Sequence, residues 1–303
     1  MEHKHGHHHN HQHNLKGKNL LIATVLNLII TVVEIIGGLI SNSLALLSDA
    51  VHNLGDTIAV LLAYIANLVS RKRADEKKTF GYKRVEILTA LLNAVVLIVI
   101  TIFLFIEAYK RFQDPEPIKG LIMFIVATVG LIANLVAVLL LKGDSHGNLN
   151  IRAAYLHLLG DTISSVAVIA GSVLIYFFSI YWIDPVITIL IGLYIIREAY
   201  IVLKEAVDIL MQGTPSSIDL QEIVDEIEKH DDINNVHHVH AWKLDDTQIH
   251  FECHIDLHKD LPLSITDNIR SEIESILQNK FGISHVTIQF EYNCCDQKSM
   301  IHT

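Results

Sequence analysis

The sequence predicts an α-helical membrane protein: six transmembrane helices followed by a C-terminal α+β domain of order α-β-β-α-β. Three observations carry this prediction. The 303-residue chain is 51% hydrophobic with a mean hydropathy of +0.39, more apolar than a soluble protein of this length. Its apolar residues gather into six runs of about 20, the length a helix needs to cross a ~30 Å hydrocarbon core. From about Met211 onward the chain turns polar and reads as a soluble domain.

The six runs are Leu20–Ile40, Leu44–Val69, Val85–Ala108, Leu121–Leu141, Ala153–Phe178 and Ile183–Leu203. The first is too long for a signal-peptide core and has no small-residue cleavage site after it, so it reads as a span. Orientation follows from the loop cations. The N-terminal tail and the loops after helices 2 and 4 carry twelve: Lys4, Lys16, Lys18, Arg71, Lys72, Arg73, Lys77, Lys78, Lys83, Arg84, Lys142 and Arg152. The opposite side carries three, Lys110, Arg111 and Lys119. Both termini are expected in the cytoplasm, with a bacterial cell (inner) membrane as the location.

The soluble region begins with a helix near Ile218–Lys229, with Leu220, Ile223, Val224 and Ile227 on one face. A strand near Val236–Leu244 turns at Asp245-Asp246 into a second, Gln248–Leu257. There Phe251, Cys253, Ile255 and Leu257 alternate with His250, Glu252, His254 and Asp256. A helix from Leu263 to Lys280 stops near Gly282, and a third strand covers His285–Tyr292. The expected boundaries are a disordered His-rich cytoplasmic tail (1–16), the membrane domain (17–210), a cytoplasmic metal-binding and dimerisation domain (211–292) and a C-terminal tail (293–303).

The net charge of −10 is concentrated. Residues 213–303 hold 17 acids and 6 bases, a net of −11, whereas the remainder holds 16 acids and 17 bases, a net of +1. An acidic soluble domain argues against nucleic acid as a partner and suits cations. Three cysteines, Cys253, Cys294 and Cys295, give no disulfide framework and fit a reducing cytoplasm.

Ionisable residues inside a span cost a few kcal/mol and mark function by default. Helix 2 holds Asp49, His52 and Asp56 at i, i+3 and i+7 on one face. Helix 5 holds His157 and Asp161 at i and i+4. His-x-x-x-Asp thus occurs twice, in two apolar helices. Two imidazoles with two carboxylates form a four-donor set that suits tetrahedral Zn²⁺ and balances its charge in a low dielectric. With no His-Glu-x-x-His and no open position for a catalytic water, a zinc enzyme is not expected. The residues alone leave open an importer or channel with the same site, or a membrane-anchored metal sensor. Ligands inside the spans argue against the sensor.

At these residues the sequence resembles the cation diffusion facilitator family, zinc-transporting branch. The resemblance runs from about 17 to 292. It includes Gly37-Gly38, the run Ser43-Leu44-Ala45-Leu46-Leu47-Ser48-Asp49-Ala50, Thr79-Phe80-Gly81-Tyr82, Asp184-Pro185 and the soluble domain. It implies a homodimeric exporter that exchanges Zn²⁺ for protons by alternating access, with His52, Asp56, His157 and Asp161 as the transport site. Some bacterial relatives place a second zinc site, of one Asp and two His, in the loop between helices 2 and 3. Here Asp75 faces Lys78 and Tyr82 at those positions, and no metal is expected. The strand His237-His238-Val239-His240-Ala241-Trp242 resembles the family's His-x-x-His-x-Trp. That likeness implies a regulatory zinc on His237, His250 and Glu291, with His240 and His285 as further candidates. His238, His254 and His258 are expected in solvent. Seven histidines (His3, His5, His7, His8, His9, His11 and His13) make the N-terminal tail read as a metal-gathering segment.

Overall fold

The computed structural model describes the backbone of residues 10–142, 149–293 and 299–300, and their side chains except at 10–24, 141, 149–154 and 156–157. Eleven elements follow in order. Six long helices are α1 (Asn10–Ser41), α2 (Leu44–Ser70), α3 (Val85–Gln113), α4 (Gly120–Lys142), α5 (Leu149–Phe178) and α6 (Ile183–Leu210). The soluble part is α7 (Leu220–Ile227), β1 (Ile233–Lys243), β2 (Ile249–Leu257), α8 (Leu263–Phe281) and β3 (His285–Glu291). Five of the long helices meet the length and hydropathy of a membrane span over their described residues. The sixth, α1, contributes the shorter apolar stretch Val25–Ser41.

Residues 1–9 of the supposed disordered tail lie outside the described residues, but α1 already starts at Asn10. Extending a helix back from a formed span adds one hydrogen bond per residue fixed and needs no new nucleus. The chain forms one compact unit from Met1–Leu62 with Leu92–Ile201, and another from Ala63–Leu91 with Val202–Thr303. The reason is packing: Ile87 of α3 shares a small core with Ala206 and Ile209 of α6.

In the first unit α4 packs on α1 and on α5. Its interior gathers Ala45, Leu46, Met123, Val168, Ile187 and Ile195. Large apolar side chains such as Phe103, Leu139 and Phe177 point outward at 60–70% exposure, which only lipid would cover favourably. The N-terminus of α2 sits inside the protein, so its orphan amides need partners. Asp184 of α6 accepts from the amides of Leu44 (2.8 Å) and Ala45 (3.2 Å), and Ser43 Oγ accepts from the amide of Leu46 (3.1 Å). Ser43 also donates its hydroxyl to Asp184 (2.5 Å). The preceding turn puts Asn42 in the left-handed region (φ 60°), held there by Arg111, which donates to the Asn42 carbonyl at 2.7 Å and to its side-chain oxygen at 3.0 Å.

In the second unit the sheet order is β1-β2-β3, with β2 antiparallel to β1 and parallel to β3. A parallel pair needs a crossover, which α8 supplies. The predicted face of β2 is the buried one: Phe251, Cys253, Ile255 and Leu257 pack with Ile223, Val224 and Ile227 of α7 and Ile269, Ile273 and Leu277 of α8. Asp219 caps α7 through the amides of Gln221 and Glu222, and Gly282 ends α8 at φ 68°. The register of β1 slips between His237 and His240, where His238 takes φ 53°. This is a bulge that re-aims the side chains on either side of it. Beyond it, the C-terminal segment lies along β1, whose His238 and Val239 amides reach the carbonyls of Ser299 and Met300.

Candidate metal sites

The first candidate lies within the helices. α2 carries His52 and Asp56 one turn apart, and α5 brings Asp161 to them. His52 Nε2 is 3.3 Å from Asp161 Oδ1 and 3.7 Å from Asp56 Oδ2. His52 and Asp161 are buried, while Asp56 is partly open. Gly55 sits between the two α2 donors. A Cβ there would fall 2.5 Å from Leu97 Cδ2, so glycine is what lets α3 close against this turn. Tyr194 of α6 stands edge-on to the His52 ring at 5.6 Å. His157 lies one turn before Asp161 on α5, on the same helical face, and its side chain lies outside the described residues. Asp49, on the same face of α2, is hydrogen-bonded to Ser164 of α5.

The sequence reading missed Glu34. It lies in the apolar run of α1, is 1% exposed, and accepts from Asn53 Nδ2 at 2.8 Å. The signal was available, since Glu34 is an acid in the middle of a span. It has no repeated motif around it and so did not stand out.

The second candidate lies in the soluble domain and differs from the expected set. His237, His254 and Glu291 each offer one ligand atom, all within 4.8 Å of one another. Glu291 Oε1 is 2.9 Å from His254 Nδ1, and its Oε2 is 3.3 Å from His237 Nε2. The antiparallel register sets His254 opposite His237, whereas His250 lies opposite Trp242, five residues further along β1. His250 instead pairs with His285 across the parallel ladder, ring centroids 4.8 Å apart, with Phe80 edge-on at 5.6 Å. Burial pushes the His250 imidazole below its usual value, and neighbouring His285 adds to the shift. His238 and His254, expected in solvent, are half-buried and stacked at 4.6 Å, because the bulge turns His238 back over β2. His240 is exposed and edge-on to His238, and His258 is exposed. A two-imidazole, one-carboxylate set fits Zn²⁺, with one position left for a fourth donor. His237 Nδ1 is buried with no hydrogen-bond partner among the described residues, which also suits a site built for an ion.

In the α2–α3 loop, Asp75 accepts from the amides of Lys77 and Lys78, and the Lys78 ammonium lies 4.2 Å from the centre of the Tyr82 ring. The expected metal-gathering histidines His3, His5, His7, His8 and His9, and the pair Cys294-Cys295, lie outside the described residues. So do the side chains of His11 and His13. Cys253 is buried in the apolar core, and burial pushes its thiol up to about 12.

Six apolar helices that converge an imidazole and carboxylates in their interior define a polytopic membrane transporter, not an enzyme. Two family models cover the chain: the cation efflux transmembrane domain over residues 20–211 and the cation efflux protein cytoplasmic domain over 215–293. The chain therefore belongs to the cation efflux, or cation diffusion facilitator, family. It is 41% identical over 276 residues to the "Cadmium, cobalt and zinc/H(+)-K(+) antiporter" of Bacillus subtilis, covering 90% of this chain and 88% of that one. It is 37% identical over 280 residues to the "Metal cation efflux system protein CzcD" of Cupriavidus metallidurans, covering 92% and 88%. It is 38% identical over 265 residues to the "Zinc transporter ZitB" of Escherichia coli, covering 87% and 83%.

Proposed function

We propose that this chain exports Zn²⁺ from the cytoplasm in exchange for protons by alternating access, with His52, Asp56, His157 and Asp161 as the transport site. The observation that carries the proposal is the convergence of His52, Asp56 and Asp161 across α2 and α5, with His157 one turn from Asp161. Metal binds the neutral imidazole and the carboxylate, so proton and Zn²⁺ compete for the same lone pairs. The relatives named as a zinc transporter and as a zinc/H⁺-K⁺ antiporter support this reading. The same names make Cd²⁺ and Co²⁺ the further ions to try as substrates, and K⁺ the further counter-ion.

The chain works as a homodimer in the cell (inner) membrane, with both termini in the cytoplasm, as the twelve cations on one side favour. Regulatory Zn²⁺ binds the cytoplasmic domain at His237, His254 and Glu291, with His238 and His240 beside the site. His250 and His285 form a separate pair.

The test is zinc flux into sealed vesicles holding the full chain, with pH gradients imposed in both directions at fixed membrane potential, with and without K⁺. Flux that follows the gradient supports proton exchange. Flux indifferent to it at every K⁺ concentration overturns the exchange.

A further inference from the structure

The second ionisable cluster of the membrane domain is not part of the four-donor set. Glu34 comes from α1 and is 1% exposed. Its Oε2 accepts from Asn53 Nδ2 of α2 at 2.8 Å. Its Oε1 is buried with no hydrogen-bond partner among the described residues. That oxygen lies against α4 where the helix has no side chain: a Cβ on Gly130 would come within 2.7 Å of it. One turn along α4 is Asn134, wholly buried, and both of its amide atoms likewise lack a partner among the described residues. The side-chain oxygen of Asn53 is buried and unpartnered too. Three helices thus enclose a carboxyl group, two amides and a gap in the side-chain wall.

We propose that Glu34 is a counter-ion site of the transporter, binding one proton on Oε1 between α1, α2 and α4, apart from the metal ligands. This rests on the exchange reading above and names where one of the exchanged charges sits. A carboxyl group inside hydrocarbon is tolerated as the neutral acid, or as a carboxylate with a cation beside it. Among the described residues no Lys or Arg is paired with Glu34, so a bound proton or other cation is what would balance its charge. The donors around it are oxygens and amides, which suit a proton or a hard monovalent ion and not Zn²⁺. A proton on Oε1 would sit in the space that Gly130 opens, with the buried amide of Asn134 one turn further along α4. The titratable groups near enough to act electrostatically on Glu34 are Asp49 and His52 of α2 and Asp161 of α5; α4 supplies none. Asn53 directly follows His52, so the helix that holds the metal donor also holds the Glu34 partner. A divalent ion at His52 and Asp161 therefore disfavours the proton on Glu34, and a proton on Glu34 disfavours the ion; the coupling is reciprocal.

The test counts protons. Full-length protein in detergent is titrated with ZnCl₂ in weak buffer, and the protons released per zinc bound are read with a pH indicator. Glu34→Gln mimics the neutral acid and should release about one proton fewer than the unchanged protein. Glu34→Asp, which restores the carboxyl, should recover the count. Asn134→Leu, which keeps the carboxyl but removes the buried amide one turn beyond Gly130, should shift the pH midpoint of zinc flux in vesicles. An unchanged proton count in Glu34→Gln overturns the proposal. An unchanged count with flux that no longer responds to K⁺ overturns the proton and assigns the site to a hard cation. Loss of zinc binding in Glu34→Gln also overturns it, because the group would then belong to the metal site. If Glu34→Gln does not fold, the Asn134→Leu midpoint decides: no shift overturns the proposal. Failure of the exchange reading looks different, since zinc flux of the unchanged protein in vesicles would then not respond to an imposed pH gradient, whatever the proton count on binding.

Discussion

His52 presents a single nitrogen to its site, within 3.3 Å of one carboxylate and 3.7 Å of another. An imidazole cannot become bidentate, whereas a carboxylate can, and it thereby accommodates a larger ion that prefers more donors. His52→Asp is expected to keep Zn²⁺ transport and gain Cd²⁺ transport, read as the two fluxes side by side in the same vesicles. Asp161→Ala should abolish both, because it strips the group nearest His52. His250 gives a pH prediction. Its imidazole is held below the ordinary value by burial, so the folded chain binds that proton less well than the unfolded chain, where histidine titrates near 6.5. Its stabilisation is full above about pH 6.5 and is lost as the pH falls below it. Thermal midpoints of the full chain in detergent should drop across that window, and His250→Phe should flatten the slope. The doubled His-x-x-x-Asp was legible because two copies inside spans have few innocent explanations. The choice between His250 and His254 was not, since both occupy even positions on the same face of β2. Only the strand register, set by the bulge at His238, puts His254 opposite His237. Glu34 was hidden for another reason: its neighbours Asn53 and Gly130 come from two other helices and are chemically unremarkable in isolation.

At the scale of elements, apolar run length located all six helices within a few residues, apart from the N-terminal start of α1 and the polar ends of α3 and α6. What run length cannot give is how a span that starts inside the protein satisfies its first amides. Asp184 does this for α2 from the first turn of α6, together with Ser43. Hydrogen bonds to a charged group contribute about 1.5–3 kcal/mol each. Asp184→Ala should therefore destabilise the full chain by roughly 3 kcal/mol, seen as a lower unfolding midpoint in detergent. Asp184→Asn, which keeps one accepting oxygen, should lose less. Midpoints equal to that of the unchanged protein would show that water replaces the cap. Cys253 gives a local reporter for such experiments. Its buried thiol, held at about 12, should resist a maleimide in the folded chain and react once the core around Phe251 and Ile255 opens.

For the whole molecule, the proposed dimer and the proposed regulatory zinc make one prediction. The soluble region carries 17 acids against 6 bases, so two copies repel one another unless cations intervene. Zinc should shorten the distance between labels on the two soluble domains, and His237→Ala with His254→Ala should remove that shortening. His250→Ala should leave it in place. Compaction that survives the double variant would detach the regulatory role from this cluster. The covered flank of β1 has a further consequence. A sheet whose outer strand shows bare amides and carbonyls invites another chain to continue it, and each addition offers a new flank to the next, which is the route to fibres. Ser299 and Met300 occupy that flank at His238 and Val239. At these two positions a second copy cannot continue the sheet. Crowded two-dimensionally on a membrane surface, these acidic domains thereby have part of one of the two flanks blocked that an open-ended polymer would need.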